Sequence, residues 1–165
     1  MENHAFIVGL IVGILATLTM DVVAVIALRF GIAGRGPRRT GPDLIGRSIG
    51  YLLRGKFRHT DILRTPPLRG ELVLGLAAHY SIGIVLTLVY LGLLAVAHAT
   101  PTALSAILYG TATTVFPWFL MFPSQGIGWL GRDAPGDAHL ARVSLFNHII
   151  FGLGIALWMP VMRPI

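Results

Sequence analysis

The stretch LVLGLAAHYSIGIVLTLVYLGLLAVAH, residues 72–98, decides the fold. It contains no Asp, Glu, Lys or Arg, and it exceeds the roughly 20 apolar residues that a helix needs to cross a bilayer. Three further apolar stretches of spanning length cover residues 6–28, 101–122 and 143–162. The sequence therefore predicts an all-α fold, a four-transmembrane-helix bundle that forms a single integral membrane domain over residues 1–165.

The overall composition is that of a membrane protein. Hydrophobic residues make up 55% of the 165 residues and charged residues only 12%, against about 25% charged residues in soluble domains. The net charge of +6 does not indicate nucleic acid binding, because the positive charge flanks apolar spans, where it serves topology and anionic lipid headgroups. The chain has no Cys, which excludes disulfides, thiolate metal sites and thiol catalysis.

The distribution of Lys and Arg predicts the orientation of the chain. Of these 13 residues, ten lie between Arg29 and Arg69, and two more, Arg132 and Arg142, follow the third apolar stretch. Cationic segments stay on the cytoplasmic side during insertion, so we expect both of these segments inside and both termini outside. The first apolar stretch has no basic n-region and is longer than a signal-peptide core, which indicates a retained helix.

The long basic segment, residues 29–71, is expected to contain a helix that starts at Pro42 and Asp43 and runs to about Arg54. The pattern predicts either an amphipathic helix in the inner membrane interface or a short helix packed on the cytoplasmic end of the bundle. In the same segment His59 is expected to be solvated or to face headgroups, and in the last loop Asp137 is expected to cap the fourth helix. The apolar face of the predicted helix comprises Leu44, Ile45, Ile49, Leu52 and Leu53, with Arg47 and Arg54 near its borders.

Three ionisable residues interrupt the apolar stretches: Asp21, His79 and His148. Such residues are costly in lipid and usually face a bundle interior. At 1.5 Å per helical residue, all three lie about 9–12 Å from the cytoplasmic boundary. Each also lies on a ridge of mostly small residues spaced four apart, a surface that lets membrane helices approach closely. The sequence therefore predicts one polar site in the inner half of the bundle.

The third apolar stretch contributes a comparable ridge. Pro117 removes a backbone donor and frees the carbonyl of Thr113, so we expect a kink near the level of the polar site. Glu71, on the His79 ridge, is expected to be a helix N-terminal charge near an Arg. The ridges comprise Gly9, Gly13, Thr17 and Asp21; Glu71, Gly75, His79, Gly83 and Thr87; Ala106, Gly110, Thr114 and Trp118; and Ser144, His148, Gly152 and Ala156.

The residue types leave several functions open. Asp21, His79 and His148 together can bind a transition metal, and His79 and His148 on separate helices can hold the iron of a haem such as haem b. A His–Asp pair can instead serve a proton-coupled solute, or the three residues can simply hydrogen-bond across helices. The sequence shows no nucleophile grouping and no paired carboxylates, so it indicates no reaction. The small size of the protein, 165 residues, also suits a different role, that of an accessory subunit that packs against a larger membrane protein complex.

Several short pieces of the chain resemble a known family. Through them, nearly the whole chain resembles a bacterial family of small four-helix inner-membrane proteins catalogued as a domain of unknown function. The resemblance implies an inner-membrane location and supplies no reaction, ligand or catalytic residue. The pieces are Thr19-Met20-Asp21, Arg54-Gly55-Lys56-Phe57-Arg58-His59, Pro66-Pro67 with Gly70-Glu71, His79-Tyr80-Ser81-Ile82-Gly83, Met121-Phe122-Pro123 with Gly126-Ile127-Gly128, and His148-Ile149-Ile150-Phe151-Gly152-Leu153-Gly154.

Overall fold

Helices account for all of the regular secondary structure in the described parts of the chain. The computed structural model describes residues 2–31, 41–134 and 139–162, and within these ranges the chain is all-helical without a strand. A π-helix and a 3-10 helix occupy Pro117–Met121 and Trp129–Gly131. The α-helices are α1 (Glu2–Arg29), α2 (Pro42–Leu52), α3 (Glu71–Val96), α4 (Ala103–Ala112), α5 (Phe122–Ser124) and α6 (Leu140–Trp158).

Four stretches are long and apolar enough to cross a membrane: His4–Arg29, Glu71–Val96, Ala103–Ser124 and Leu140–Trp158. They confirm the predicted fold class and differ from the predicted bounds by at most four residues. The third stretch begins with a cap, in which the Ser105 N–H donates to the Thr102 hydroxyl at 3.1 Å. The predicted cap at Asp137 lies outside the described residues.

The third stretch is not a continuous α-helix. α4 ends at Ala112, and a π-helical turn starts at Pro117, whose carbonyl accepts from the Phe122 N–H five residues later. Proline has no N–H for an ordinary helical hydrogen bond, and such widened turns often accompany that loss or a functional site. The interruption predicted at Pro117 is therefore a widened turn, which adds one residue to the helix.

The chain forms two compact units. The first comprises Met1–Ile26, Tyr80–Thr113 and Leu145–Ile165, and the second comprises Ala27–His79 and Thr114–Ser144. Buried side chains at the centre of the first unit are Val12, Ala16, Tyr90, Ala106, Phe151, Ile155 and Met159. Those at the centre of the second unit are Leu44, Ile62, Phe122, Ile127 and Leu140.

Glycines let the helices of the first unit approach closely. A Cβ atom at Gly13 of α1 would lie 2.6 Å from the Cα of Ile84 in α3. Between α4 and α6, a Cβ atom at Gly110 would lie 2.6 Å from the carbonyl oxygen of His148. Within this unit, the small-residue ridges expected from the sequence are therefore contact faces between neighbouring helices.

In the second unit, α2 packs on the first turns of α3. A Cβ atom at Gly46 would collide with the Glu71 carbonyl oxygen, and one at Gly75 would collide with the Pro42 carbonyl oxygen. The two backbones are thus in direct contact, with no side chain between them. The helix expected in this segment is therefore present and packs on the start of a spanning-length helix, and its place in the inner membrane interface stays a prediction.

Candidate intramembrane polar site

The three predicted site residues lie in spanning-length helices, and each is half-buried. Asp21 of α1 and His148 of α6 belong to the first unit, and His79 of α3 belongs to the second. Among residues 2–31, 41–134 and 139–162, no group of three His, Cys, Asp or Glu side chains could hold a metal ion. The metal-ligand role of the three residues, and the haem-ligand role of the two histidines, stay predictions.

Asp21 is hydrogen-bonded inside the first unit. The Tyr80 hydroxyl donates to its Oδ2 atom at 3.1 Å and so links α1 to α3. A carboxylate away from water needs such a donor, because an uncompensated buried charge is strongly destabilising. A phenol can both donate and accept, so the pair stays hydrogen-bonded whether Asp21 is ionised or protonated.

His148 has a defined partner on the neighbouring helix. The Thr113 hydroxyl oxygen lies 2.6 Å from His148 Nδ1 and 2.6 Å from the Gly110 carbonyl oxygen. A carbonyl only accepts and a hydroxyl has one proton, so the Thr113 proton goes to Gly110. His148 Nδ1 is then the protonated nitrogen, which donates to Thr113. In the neutral imidazole, Nε2 carries the lone pair, and it is the nitrogen suited to proton transfer or ligand binding.

The sequence-based site does not include two of these hydrogen-bonding residues. Tyr80 lies off the ridge that carries His79, yet its long side chain reaches Asp21. The sequence argument uses Thr113 only for its carbonyl, whereas the structure uses its hydroxyl. Only proximity in the sequence could have indicated these two residues. Tyr80 directly follows His79, and Thr113 lies four residues before Pro117.

A second polar cluster centres on Arg47 in the second unit. Its Nε and Nη2 atoms donate to the two Glu71 carboxylate oxygens at 2.8 and 2.6 Å. Its Nη1 atom donates to the carbonyl oxygens of Ile62 and Thr65 at 3.2 and 3.1 Å. The hydrogen bond to Glu71 raises the pKa of Arg47, so the buried guanidinium stays charged. The expectation of an arginine beside Glu71 is confirmed.

The burial of Arg47 corrects its expected place at the border of the apolar face of α2. Arg47 is 2% exposed, because α3 and the loop carrying Ile62 and Thr65 both cover it. A helical-wheel projection of α2 alone shows neither α3 nor this loop, so it could not predict the burial of Arg47. A charged residue can lie inside only where hydrogen bonds satisfy its donors, and here four acceptor atoms do so.

His59 is buried, which corrects the expectation of a solvated or headgroup-facing residue. It is 6% exposed, and its ring meets the Tyr51 ring edge-on at 5.3 Å between centroids. Its backbone N–H donates to the Ser124 carbonyl at 2.8 Å, and its Nδ1 lies 3.1 Å from Thr65 Oγ1. Its Nε2 has no hydrogen-bond partner within the described parts of the chain. The side chain of His59 thus contacts α2 and its own loop, and its backbone is hydrogen-bonded to a segment more than 60 residues later in the sequence.

The environment of His59 predicts a pH-dependent stability. Burial lowers the pKa of His59, and the charges of Lys56 and Arg47 lower it further. The unfolded chain therefore binds a proton at a higher pH, about 6.5, than the folded protein does. We expect the thermal midpoint in detergent to be highest above that pH and to fall as the pH drops towards the lower, folded pKa.

The comparison that isolates this effect uses two histidine variants. His59→Gln should weaken the loss of thermal midpoint between about pH 8 and about pH 5, because the group that gains the proton is gone. His139→Gln should keep it, since His139 is exposed. Equal pH dependence in the wild type and in His59→Gln would contradict this account of His59.

Four spanning-length apolar helices, with ionisable residues inside them, define a multi-pass membrane protein. Its family follows from the sequence match of residues 10–162 to the family described as "Protein of unknown function (DUF2938)". The match covers nearly the whole chain, so the chain belongs to this family, as its short pieces indicated. No curated protein and no solved structure matches the chain.

Proposed function

We propose that this is a protein of the bacterial inner membrane in which a polar site around Asp21 handles protons or a proton-coupled solute. The observation that supports the proposal is the 3.1 Å hydrogen bond from Tyr80 to Asp21 within the spanning-length helices. An ionisable residue in a span is costly, and where it occurs it commonly serves a proton or solute pathway. His148, whose Nδ1 atom lies 2.6 Å from the Thr113 hydroxyl oxygen, supplies a second ionisable group within the spanning-length helices.

Proton chemistry is preferred to a metal ion for a physical reason. A protonatable pair needs only the hydrogen bonds present in the first unit, whereas a metal needs three or more ligands converging on one point. Purification from native membranes, with metal analysis and an absorption spectrum, tests the choice. Stoichiometric metal or a Soret band would overturn it, and stable co-purification with other subunits would favour the accessory-subunit hypothesis.

Infrared spectroscopy tests whether Asp21 takes part in proton handling. Infrared difference spectra of the protein in lipid, recorded between low and high pH, should contain a carboxylic acid C=O band that Asp21→Asn removes. Tyr80→Phe should shift this band, because the hydrogen-bond donor is lost. Asp61→Asn, which changes a carboxylate outside the spans, should leave it in place. A spectrum in which Asp21→Asn removes no band would reject the proposal.

The hypothesis that Asp21, His79 and His148 share one site predicts coupled effects. In Asp21→Asn and His79→Gln, alone and together, the loss of thermal midpoint in the double variant should scarcely exceed the larger single loss. Separate hydrogen bonds, each with its own partner, predict additive losses. Clean additivity would leave three independent polar residues.

The orientation we propose places both termini outside and the basic segment 29–71 on the cytoplasmic side, next to anionic headgroups. A C-terminal reporter that is active only in the cytoplasm should therefore stay silent, and one that is active only outside should give signal. Strong activity of the cytoplasmic reporter would mean inverted insertion or an odd number of spans.

A further inference from the structure

The turn that follows α2 has a fixed backbone. Gly55 adopts a φ of +81°, its N–H donates to the Leu52 carbonyl, and the Lys56 N–H donates to the Tyr51 carbonyl, both at 2.9 Å. This is a Schellman cap, which ends a helix through a left-handed glycine. We call residues 52–58 the cationic turn, because three of their side chains are cations.

Two of the three cations of this turn lie near the same aromatic ring. Arg54 Cζ lies 5.9 Å and Lys56 Nζ 5.5 Å from the centroid of the same ring, that of Tyr51. Two like charges near one ring repel each other, and an anion bound beside them would relieve the repulsion. Within the described ranges, Arg54, Lys56 and Arg58 have no carboxylate oxygen within 4.0 Å, unlike Arg47, Arg64 and Arg132.

Large apolar side chains accompany these cations. Leu53 is 78% exposed, and Leu52 and Phe57 are about half exposed. In water, three such side chains on one turn are unfavourable. A membrane interface accommodates them, because apolar groups enter the acyl boundary while cations meet headgroups.

The surrounding contacts hold the turn beside the start of a spanning-length helix. Gly50 of α2 packs against the side chains of Leu68 and Leu74, so the end of α2 lies on the start of α3. The Tyr51 hydroxyl also donates to the Pro66 carbonyl at 3.3 Å. The start of a spanning helix is where a bilayer has its headgroups, so the turn lies at the depth that a headgroup ligand requires.

We propose that the cationic turn binds the phosphate headgroups of anionic phospholipids. Arg54, Lys56 and Arg58 contact the phosphates, and Leu53 and Phe57 enter the acyl boundary. The proposal rests on the membrane placement proposed above, and it does not depend on the Asp21 site. Charge complementarity and the exposed apolar side chains favour a lipid over a soluble anion, which would leave Leu53 and Phe57 in water.

The test uses the full chain in nanodiscs of phosphatidylcholine, with and without phosphatidylglycerol. Phosphatidylglycerol should slow amide hydrogen exchange in residues 52–58 of the wild type, and the triple variant R54Q/K56Q/R58Q should lose this protection. Native mass spectrometry should show weaker retention of phosphatidylglycerol, by about fivefold for each cation removed and about a hundredfold for all three. Leu53→Ser should lose part of the protection.

A matched control removes two cations elsewhere in the same basic segment. R64Q/R69Q should keep the protection of residues 52–58, since Arg64 and Arg69 are also exposed but lie outside the turn. Equal loss in this control would mean unspecific attraction and overturn the proposal. Protection by inorganic phosphate in pure phosphatidylcholine would assign the site to a free anion instead. Asp21→Asn should leave the protection unchanged, which separates this test from that of the Asp21 site.

Discussion

Arg47→Met should lower the free energy of unfolding by about 3–5 kcal/mol, because it removes the buried guanidinium that pairs with the Glu71 carboxylate inside the second unit. The methionine also removes the donor to two loop carbonyls, those of Ile62 and Thr65. Arg47→Lys should recover only part of the loss, because a lysine cannot form the two parallel hydrogen bonds to Glu71. The measurement is chemical or thermal unfolding in detergent.

Two further variants determine whether the loss comes from the buried charge. Arg64→Gln should change the free energy of unfolding by less than about 1 kcal/mol, because Arg64 is 90% exposed and its 3.2 Å pair with Asp61 is solvated. The double variant Arg47→Met/Glu71→Leu should be more stable than Arg47→Met alone, since the carboxylate that lost its guanidinium partner is removed as well. An Arg47→Met loss no larger than that of Arg64→Gln would refute the role assigned to the pair.

Gly46→Ala and Gly75→Ala should each destabilise the second unit strongly, by about 1–3 kcal/mol or more. In either variant the new methyl group would meet backbone, the Glu71 carbonyl in one case and the Pro42 carbonyl in the other. A backbone carbonyl cannot change rotamer as a side chain can, so α2 must move away from α3. That movement also separates Arg47 from Glu71, which adds to the loss.

The matched control for these two glycines lies in the same helix as Gly75. Gly92 of α3 has no atom within 4 Å of the position where a Cβ would lie. Gly92→Ala should therefore leave stability unchanged or raise it by about 0.5–1 kcal/mol, the usual gain in a helix interior. Thermal midpoints of the three variants in detergent provide the comparison. A similar midpoint for all three would mean that α2 and α3 are not in backbone contact.

The spans were predictable from the sequence because hydropathy is a property of each residue and can be averaged over a window of spanning length. The ridges were predictable as well, since residues four apart share a helix face whatever their neighbours are. Such a ridge predicted Gly13 as a contact point, and the Cβ position there lies against α3. Local periodicity thus predicts both the helix and the face through which it packs.

Residues that depend on distant parts of the chain were not predictable in this way. Arg47 is buried by contacts with the loop and α3, and His59 lies in a loop whose backbone is hydrogen-bonded to Ser124. Neither partner appears in the helical pattern of α2 or in the composition of its loop. In the candidate site, the ridge pattern predicted Asp21. The contact of Tyr80 with Asp21 was not predictable, because it depends on the length of the Tyr80 side chain and on the packing of α3 against α1.

The pairing of the 59–62 loop with Ser124 and Gln125 has a consequence for biosynthesis. His59 and Ile62 donate backbone hydrogen bonds to the carbonyls of Ser124 and Gln125, at 2.8 and 2.9 Å. A ribosome adds about 5–20 residues each second, so roughly 3–13 s separate the synthesis of the loop from that of its partner. For that interval the loop lacks these two hydrogen-bond acceptors. The second unit is therefore completed only after the third apolar stretch has been made.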